Sequence, residues 1–313
     1  MAVKRLQNKI AESRFSLPIV SVYALMVWLA IGLVEQQLYV QLAIFALSAY
    51  LMVELNNSNS LLSMYSRMVS CSYIMLTAMS TFILYEIEPL AVQLCLIGTY
   101  LILFRCYQDK RAQGLIFYAF FCIGIASTMF IQILFFVPFI WIMMAVNLMA
   151  FSHRILWASI IGLITPYWFL AGYYAFTSNL NAFVEHFLSI AEFEPLFVYN
   201  EINIYRIITF SFLVLMSLIG IIHFLRKGKD KIRTRMIYEI FIAMDVITFV
   251  FIVLQPQHAD TLIGIMAVNT SVLIARYIAQ THTWLTNISF ILIMLITFAL
   301  TIFNIWMPLT TFL

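Results

Sequence analysis

The sequence predicts an all-α fold: a polytopic transmembrane bundle of about eleven helices with a cytoplasmic N-terminus. Three observations predict it. Only 10% of the 313 residues are charged and the mean hydropathy is +0.99, so polar side chains are too few to cover a soluble domain. Apolar runs of the ~20 residues needed to cross the hydrocarbon recur from Leu17 to the C-terminus. Lys and Arg gather in short segments between those runs, as they do in cytoplasmic loops. The shorter alternating segments of a membrane β-barrel are absent. The formal charge of +3 is no sign of nucleic-acid binding, because the bases occupy inter-helix loops.

The segment 1–16 is basic and is expected in the cytoplasm; 17–313 is the transmembrane domain. The first apolar run, 17–34, is long for the core of a signal peptide and no small-x-small cleavage site follows it, so it reads as a retained first helix. The second helix covers 39–55 and returns to "NNSNSLLSMYSR", a cap and turn beside Glu54. The third covers 67–84 and exits at "YEIEP"; the fourth covers 89–104 and returns to "RCYQDKRAQ". The apolar stretch 114–151 is too long for one span and divides near Phe130 into the fifth and sixth helices. The seventh covers 155–176. Pro138 and Pro166 fall inside helices and should kink them.

An outer segment, 177–205, comes next. Leu180, Phe183, Val184, Phe187, Leu188 and Ala191 share one helical face, with Glu185, Ser189 and Glu192 opposite. Asn179 or Asn181 serves as cap and Pro195 as stop. This is an amphipathic helix for the outer leaflet, either passive or roofing a lipid-facing cavity. The eighth helix, 206–225, leads into a run with six Lys or Arg residues in the ten positions 226–235. That run is an inner stop signal, attractive to anionic lipid. The ninth helix covers 236–254, the tenth 261–278 and the eleventh 284–306. This threading puts sixteen of the seventeen Lys and Arg residues inside, with Arg206 the exception.

Few residues stand out for chemistry. Asp245 lies about nine residues into its helix, roughly 14 Å along it, near the bilayer centre. Such a charge is costly and needs a partner or a function. The ninth and tenth helices form a hairpin turning near residue 257. Counting outward from that turn sets Asp245 level with Asn269 and Thr270, and Glu239 level with Arg276. An interhelical hydrogen bond and an inner ion pair are the expected structural roles; a proton or cation path through Asp245 is the functional alternative. Cys71, Cys95, Cys106 and Cys122 form no CxxC and read as buried small hydrophobes. The histidines lack metal-ligand spacing. Neither a Walker motif, nor GxSxG, nor HExxH occurs, so no nucleotide, metal or other cofactor is expected. No internal six-helix duplication is legible, which argues against a major-facilitator-type transporter.

"FRCYQDKRAQGLIFYAFFCIGIASTMFIQILFFVPFIWIMM", followed by "HRILWASIIGLITPYWFLAGYYAF", resembles an uncharacterised family of polytopic inner-membrane proteins of Bacteroidetes-type bacteria, a domain of unknown function. In layout the region is also similar to the GT-C glycosyltransferases, which use polyprenyl-phosphate sugars. "GIASTMF", "TPYWF" and "FVEHFLSIAEF" carry that likeness. It implies a base that deprotonates an acceptor hydroxyl and a cation for the leaving phosphate. Glu35 is the candidate base and Arg206 the candidate phosphate partner; both also read as interfacial charges at helix ends. The chain departs from the family in its first outer loop, which is only "EQQLYVQ" with Glu35 its sole acid. The sequence thus points to a reduced GT-C-like protein handling polyprenyl-phosphate-linked sugars or lipids in a bacterial inner membrane. The alternatives are a non-enzymatic subunit with membrane-protein partners and a transporter using Asp245.

Overall fold

The computed structural model describes residues 5–177, 180–191, 203–226 and 231–311, and every regular element among them is helical. α1 (Leu6–Glu12) turns by 91° into α2 (Ser16–Ala30). α3 (Tyr39–Asn59), α4 (Met68–Met79), the one-turn α5 (Thr81–Leu84) and α6 (Ile87–Leu103) follow. The long apolar stretch folds as α7 (Gln113–Met129), a 3-10 segment (Ile131–Phe136) and α8 (Val137–Val146). Then come α9 (His153–Phe176) and the short α10 (Leu180–Leu188). α11 (Ile204–Arg226), α12 (Ile232–Leu254), α13 (Ala259–Gln280) and α14 (Trp284–Thr311) complete the described chain.

Among the described residues α3, α6 with the 3-10 turn that extends it to Cys106, α9, α11, α12, α13 and α14 are long and apolar enough to cross a membrane, which makes the protein a multi-pass helical membrane protein. Counting the bent α1–α2 pair as one broken span raises the seven to eight. α4, α7 and the segment Ile131–Val146 are apolar but shorter, so among the described residues the spans of full length are fewer than the expected eleven.

Several boundaries have a local cause. The run 67–84 is broken at Ser80, whose backbone (φ −85°, ψ 64°) leaves the helical region. The division near Phe130 is present: its extended backbone (φ −128°, ψ 91°) stops α7. The chain then doubles back, so that Gln108 N donates to Leu148 O at 2.8 Å. Pro138 does not kink a helix; it occupies the first turn of α8, where its missing N–H costs nothing. Pro166 lies inside α9 as expected. The proposed cap Asn179, the stop Pro195 and Glu192, together with Lys227, Lys229 and Asp230 of the basic run, fall outside the described residues.

α13 is the axis. In its most apolar stretch 94% of the residues are buried, against 22% for α9 and 28% for α14 at the periphery. Its sequence, "ADTLIGIMAVNTSVLIARYIAQ", mixes small and polar residues, because a helix surrounded by protein must admit close neighbours and bond to them. α4, α6, α11 and α12 pack around it. Gly220 of α11 meets it so closely that a Cβ there would stand 2.7 Å from Leu273 Cβ. α7 and α9 close similarly: a Cβ on Gly162 would fall 2.5 Å from Phe117 O.

The two ends of the bundle differ in charge, as the loop pattern predicts. Every described Lys and Arg except Arg206 lies at the end where α1, the α3–α4 loop and the α11–α12 connection meet. That end is tied together by polar contacts, including Arg233 Nη2 to Asn59 Oδ1 at 3.0 Å and to Phe104 O at 3.1 Å. α1 has no counterpart in the hydropathy pattern. It is anchored there by Gln7, whose Nε2 donates to Ile278 O at 2.6 Å and Thr281 Oγ1 at 2.7 Å.

Candidate functional site

Two places qualify: the buried polar centre around Asp245 and the end that carries Arg206. Asp245 is 1% exposed, midway along α12. Thr270 Oγ1 of α13 donates to its Oδ1 at 3.0 Å, and Ser217 Oγ of α11 donates to its Oδ2. The carboxylate therefore joins three helices, and each oxygen receives a hydroxyl hydrogen bond. The expected pairing with Thr270 is present; the pairing with Asn269 is not. Asn269 Oδ1 accepts from Tyr100 OH of α6 at 2.8 Å instead. Consecutive helical residues point about 100° apart, so one of the two faces α12 and the other α6. Ser217 and Tyr100 belong to distant segments, which hairpin counting cannot reach.

The expected Glu239–Arg276 ion pair does not form. Glu239 accepts from Arg235 Nε at 3.1 Å and from Asn147 Nδ2 at 2.9 Å. It is Tyr238, one residue earlier, that faces Arg276. The Arg276 guanidinium stands 4.4 Å from the Tyr238 ring centre and 4.8 Å from that of Phe224. Level is preserved and face is not: the same rotation separates the two side chains.

At the opposite end, Arg206 opens α11. Its Nη2 pairs with Asp260 Oδ2 at 2.6 Å, and its guanidinium lies 5.8 Å from both the Phe82 and Tyr205 rings. Its Nε is buried and has no hydrogen-bond partner among the described residues. Beside it a groove of about 190 Å³ runs between α11 and α12, walled by Ile207, Phe210, Ile252, Val253 and Ile263. Asp260 carries the compensating charge and was not singled out from the sequence. The signal was its place in the first turn of α13, just past the hairpin turn. The neighbouring Thr261 donates to Glu88 Oε1 at 2.9 Å, fastening α13 to α6.

Glu35 is exposed in the turn 31–38, which is shaped by Gly32 (φ 86°) and Gln37 (φ 54°). No hydrogen bond or ion pair joins it to Arg206, so the two residues that resemblance couples are not brought together. α10 has the expected amphipathic character. Phe187 and Phe183 pack at a tilt against Tyr167 and Tyr174 of α9, His186 Nε2 donates to Ser127 O at 3.1 Å, and Val184 and Leu188 stay exposed. Phe183 and Phe187 close one side of an apolar cleft of about 540 Å³ against Leu163, Tyr167 and Trp168.

The four cysteines are unpaired thiols, and among the described residues no group of three His, Cys, Asp or Glu side chains is placed to hold a metal ion. No family model, no curated protein and no solved structure matches the chain.

Proposed function

We propose that this chain handles phosphate-bearing lipids in a bacterial inner membrane, with the basic end cytoplasmic and Arg206 on the outer side. The observation that carries this reading is the combination of Arg206 with an apolar groove at its side. A lipid chain lying between α11 and α12 brings its headgroup to a guanidinium that spends one amino group on Asp260 and keeps Nε–H unpartnered among the described residues. Arg offers phosphate a planar fork of donors, which Lys does not reproduce. The cleft beneath α10 adds a second apolar surface. Polyprenyl phosphate is the substrate class that the GT-C-like layout implies. Transfer chemistry would need Glu35 beside the acceptor hydroxyl, and the turn 31–38 would have to carry it toward Arg206.

A second reading is a subunit that holds protein partners in an envelope complex. The flank of α9 favours it, with Trp157 64%, Trp168 74% and Phe169 74% exposed. The transport reading gains no support from Asp245, whose two oxygens are engaged by hydroxyls of α11 and α13.

The test is binding of a short-chain polyprenyl phosphate to purified protein in nanodiscs. Wild type should bind, Arg206→Ala should lose binding strongly and Arg206→Lys in part. Sugar release from the glycosylated lipid should stop in Glu35→Gln while binding is kept, because a base acts in the transition state. Wild-type protein that binds no lipid phosphate sinks the reading; turnover by Glu35→Gln sinks only the catalytic part.

A further inference from the structure

We infer a second, separate site at the basic end: a polar cavity under the α3–α4 loop that takes a phosphate-bearing ligand. The cavity measures about 530 Å³ and is lined by Asn57, Ser60, Ser63, Tyr65, Lys231 and Thr234, among others. It is the polar counterpart of the apolar clefts on the flank, and no residue of the Arg206 site contributes to it.

The loop that forms it is built and held. Ser60 ends α3 in the left-handed conformation (φ 47°), turning the chain away from the helix axis. Asn56 then fastens the loop from inside: its Nδ2 donates to Ser66 O at 2.9 Å and its Oδ1 accepts from Leu62 N at 3.3 Å. Two other elements, α1 and α12, clamp the outside through three hydrogen bonds. Ser66 Oγ donates to Ala11 O at 2.6 Å, Tyr238 OH to Leu61 O at 3.2 Å, and Arg233 Nη2 to Asn59 Oδ1 at 3.0 Å. The cavity wall is therefore preorganised rather than assembled by a ligand.

What the wall leaves open is hydrogen-bonding capacity of the donor kind. The backbone N–H groups of Ser63, Met64 and Tyr65 make no hydrogen bond among the described residues. The side chains of Asn57, Ser60 and Thr234 likewise have no described partner, and Lys231 is exposed at the rim. Among the described residues that line the cavity none is acidic. Hydroxyls, amides, free backbone N–H groups and one ammonium suit the oxygens of a phosphate, and no described residue of the lining repels its charge. The ligand is either an anionic lipid headgroup reaching in from the leaflet or a phosphate compound from the aqueous side.

The experiment uses full-length protein carrying Arg206→Ala, so that the first site does not contribute. One arm measures phosphatidylglycerol against phosphatidylcholine retained through delipidation, by native mass spectrometry. The other measures inorganic pyrophosphate binding by equilibrium dialysis. Lys231→Gln should lower the bound anion about fivefold or more, Thr234→Val should lower it less, and Lys231→Arg should restore it. Lys110→Gln, an exposed base elsewhere on the same end, should leave it unchanged. Selective phosphatidylglycerol retention identifies a lipid source, and pyrophosphate binding alone identifies a soluble one. Binding of neither probe, binding indifferent to Lys231→Gln, or an equal loss in Lys110→Gln overturns the site. Elution of each variant as one species in size exclusion separates loss of binding from loss of fold.

Discussion

Thr270 Oγ1 lies 3.0 Å from Asp245 Oδ1, joining the central helix α13 to α12 near the middle of both. With Ser217 on the other oxygen, the carboxylate acts as a three-helix clamp. An amide of the same shape can keep both contacts, since hydroxyls donate or accept. Asp245→Asn should therefore leave the protein folded. Asp245→Leu removes both partners and should cost about 1–2 kcal/mol, in line with interhelical polar contacts in bilayers. Thermal unfolding in detergent of the two variants checks this; an Asn variant as unstable as the Leu variant would show that the charge itself is needed.

Close packing of α7 on α9 sets up a contrast within one helix. Leu at position 162 has no room against Phe117 O and Phe120, whereas nothing stands within 4 Å of a Cβ on Gly172. Gly162→Leu should destabilise by about 1–3 kcal/mol or more, the usual cost of overpacking. Gly172→Leu should be close to neutral. Equal melting temperatures for the two would mean that α7 and α9 are not packed as described.

The docking of α1 includes buried polar contacts from Gln7 and Asn8 to the end of α13. Gln7→Ala removes two donor contacts to the end of α13 and leaves Ile278 O without that partner. A loss of about 1–2 kcal/mol follows from a buried acceptor losing its donor. Faster proteolysis within residues 5–16 should accompany it. Unchanged stability and cleavage would place α1 free of the bundle.

Charge segregation predicts the orientation. In a cysteine-free background, Lys110→Cys should be protected from an impermeant maleimide in intact cells and Gln36→Cys should react. Both positions are exposed and at opposite ends of the bundle. Labelling at 110 without permeabilisation would reverse the assignment.

What the sequence determined by itself were the properties summed along the chain. Hydropathy over ~20-residue windows located the helices, because a bilayer leaves backbone polar groups no partner but the helix itself. Loop charge separated the two ends, and helical counting brought Asp245 level with Thr270. The break at Ser80 and the helix α1 escaped that averaging, since one residue's backbone angles and one side chain's hydrogen bonds barely change a window's mean. Only the tertiary structure decided which face each residue presents and which distant helix it meets. It sent Asn269 to Tyr100, Arg276 to the rings of Tyr238 and Phe224, and Arg206 to Asp260 rather than toward Glu35. The physical reason is that the bilayer selects for hydrophobic length along an axis, whereas packing selects rotation about it, and a step of one residue turns a side chain toward a different neighbour.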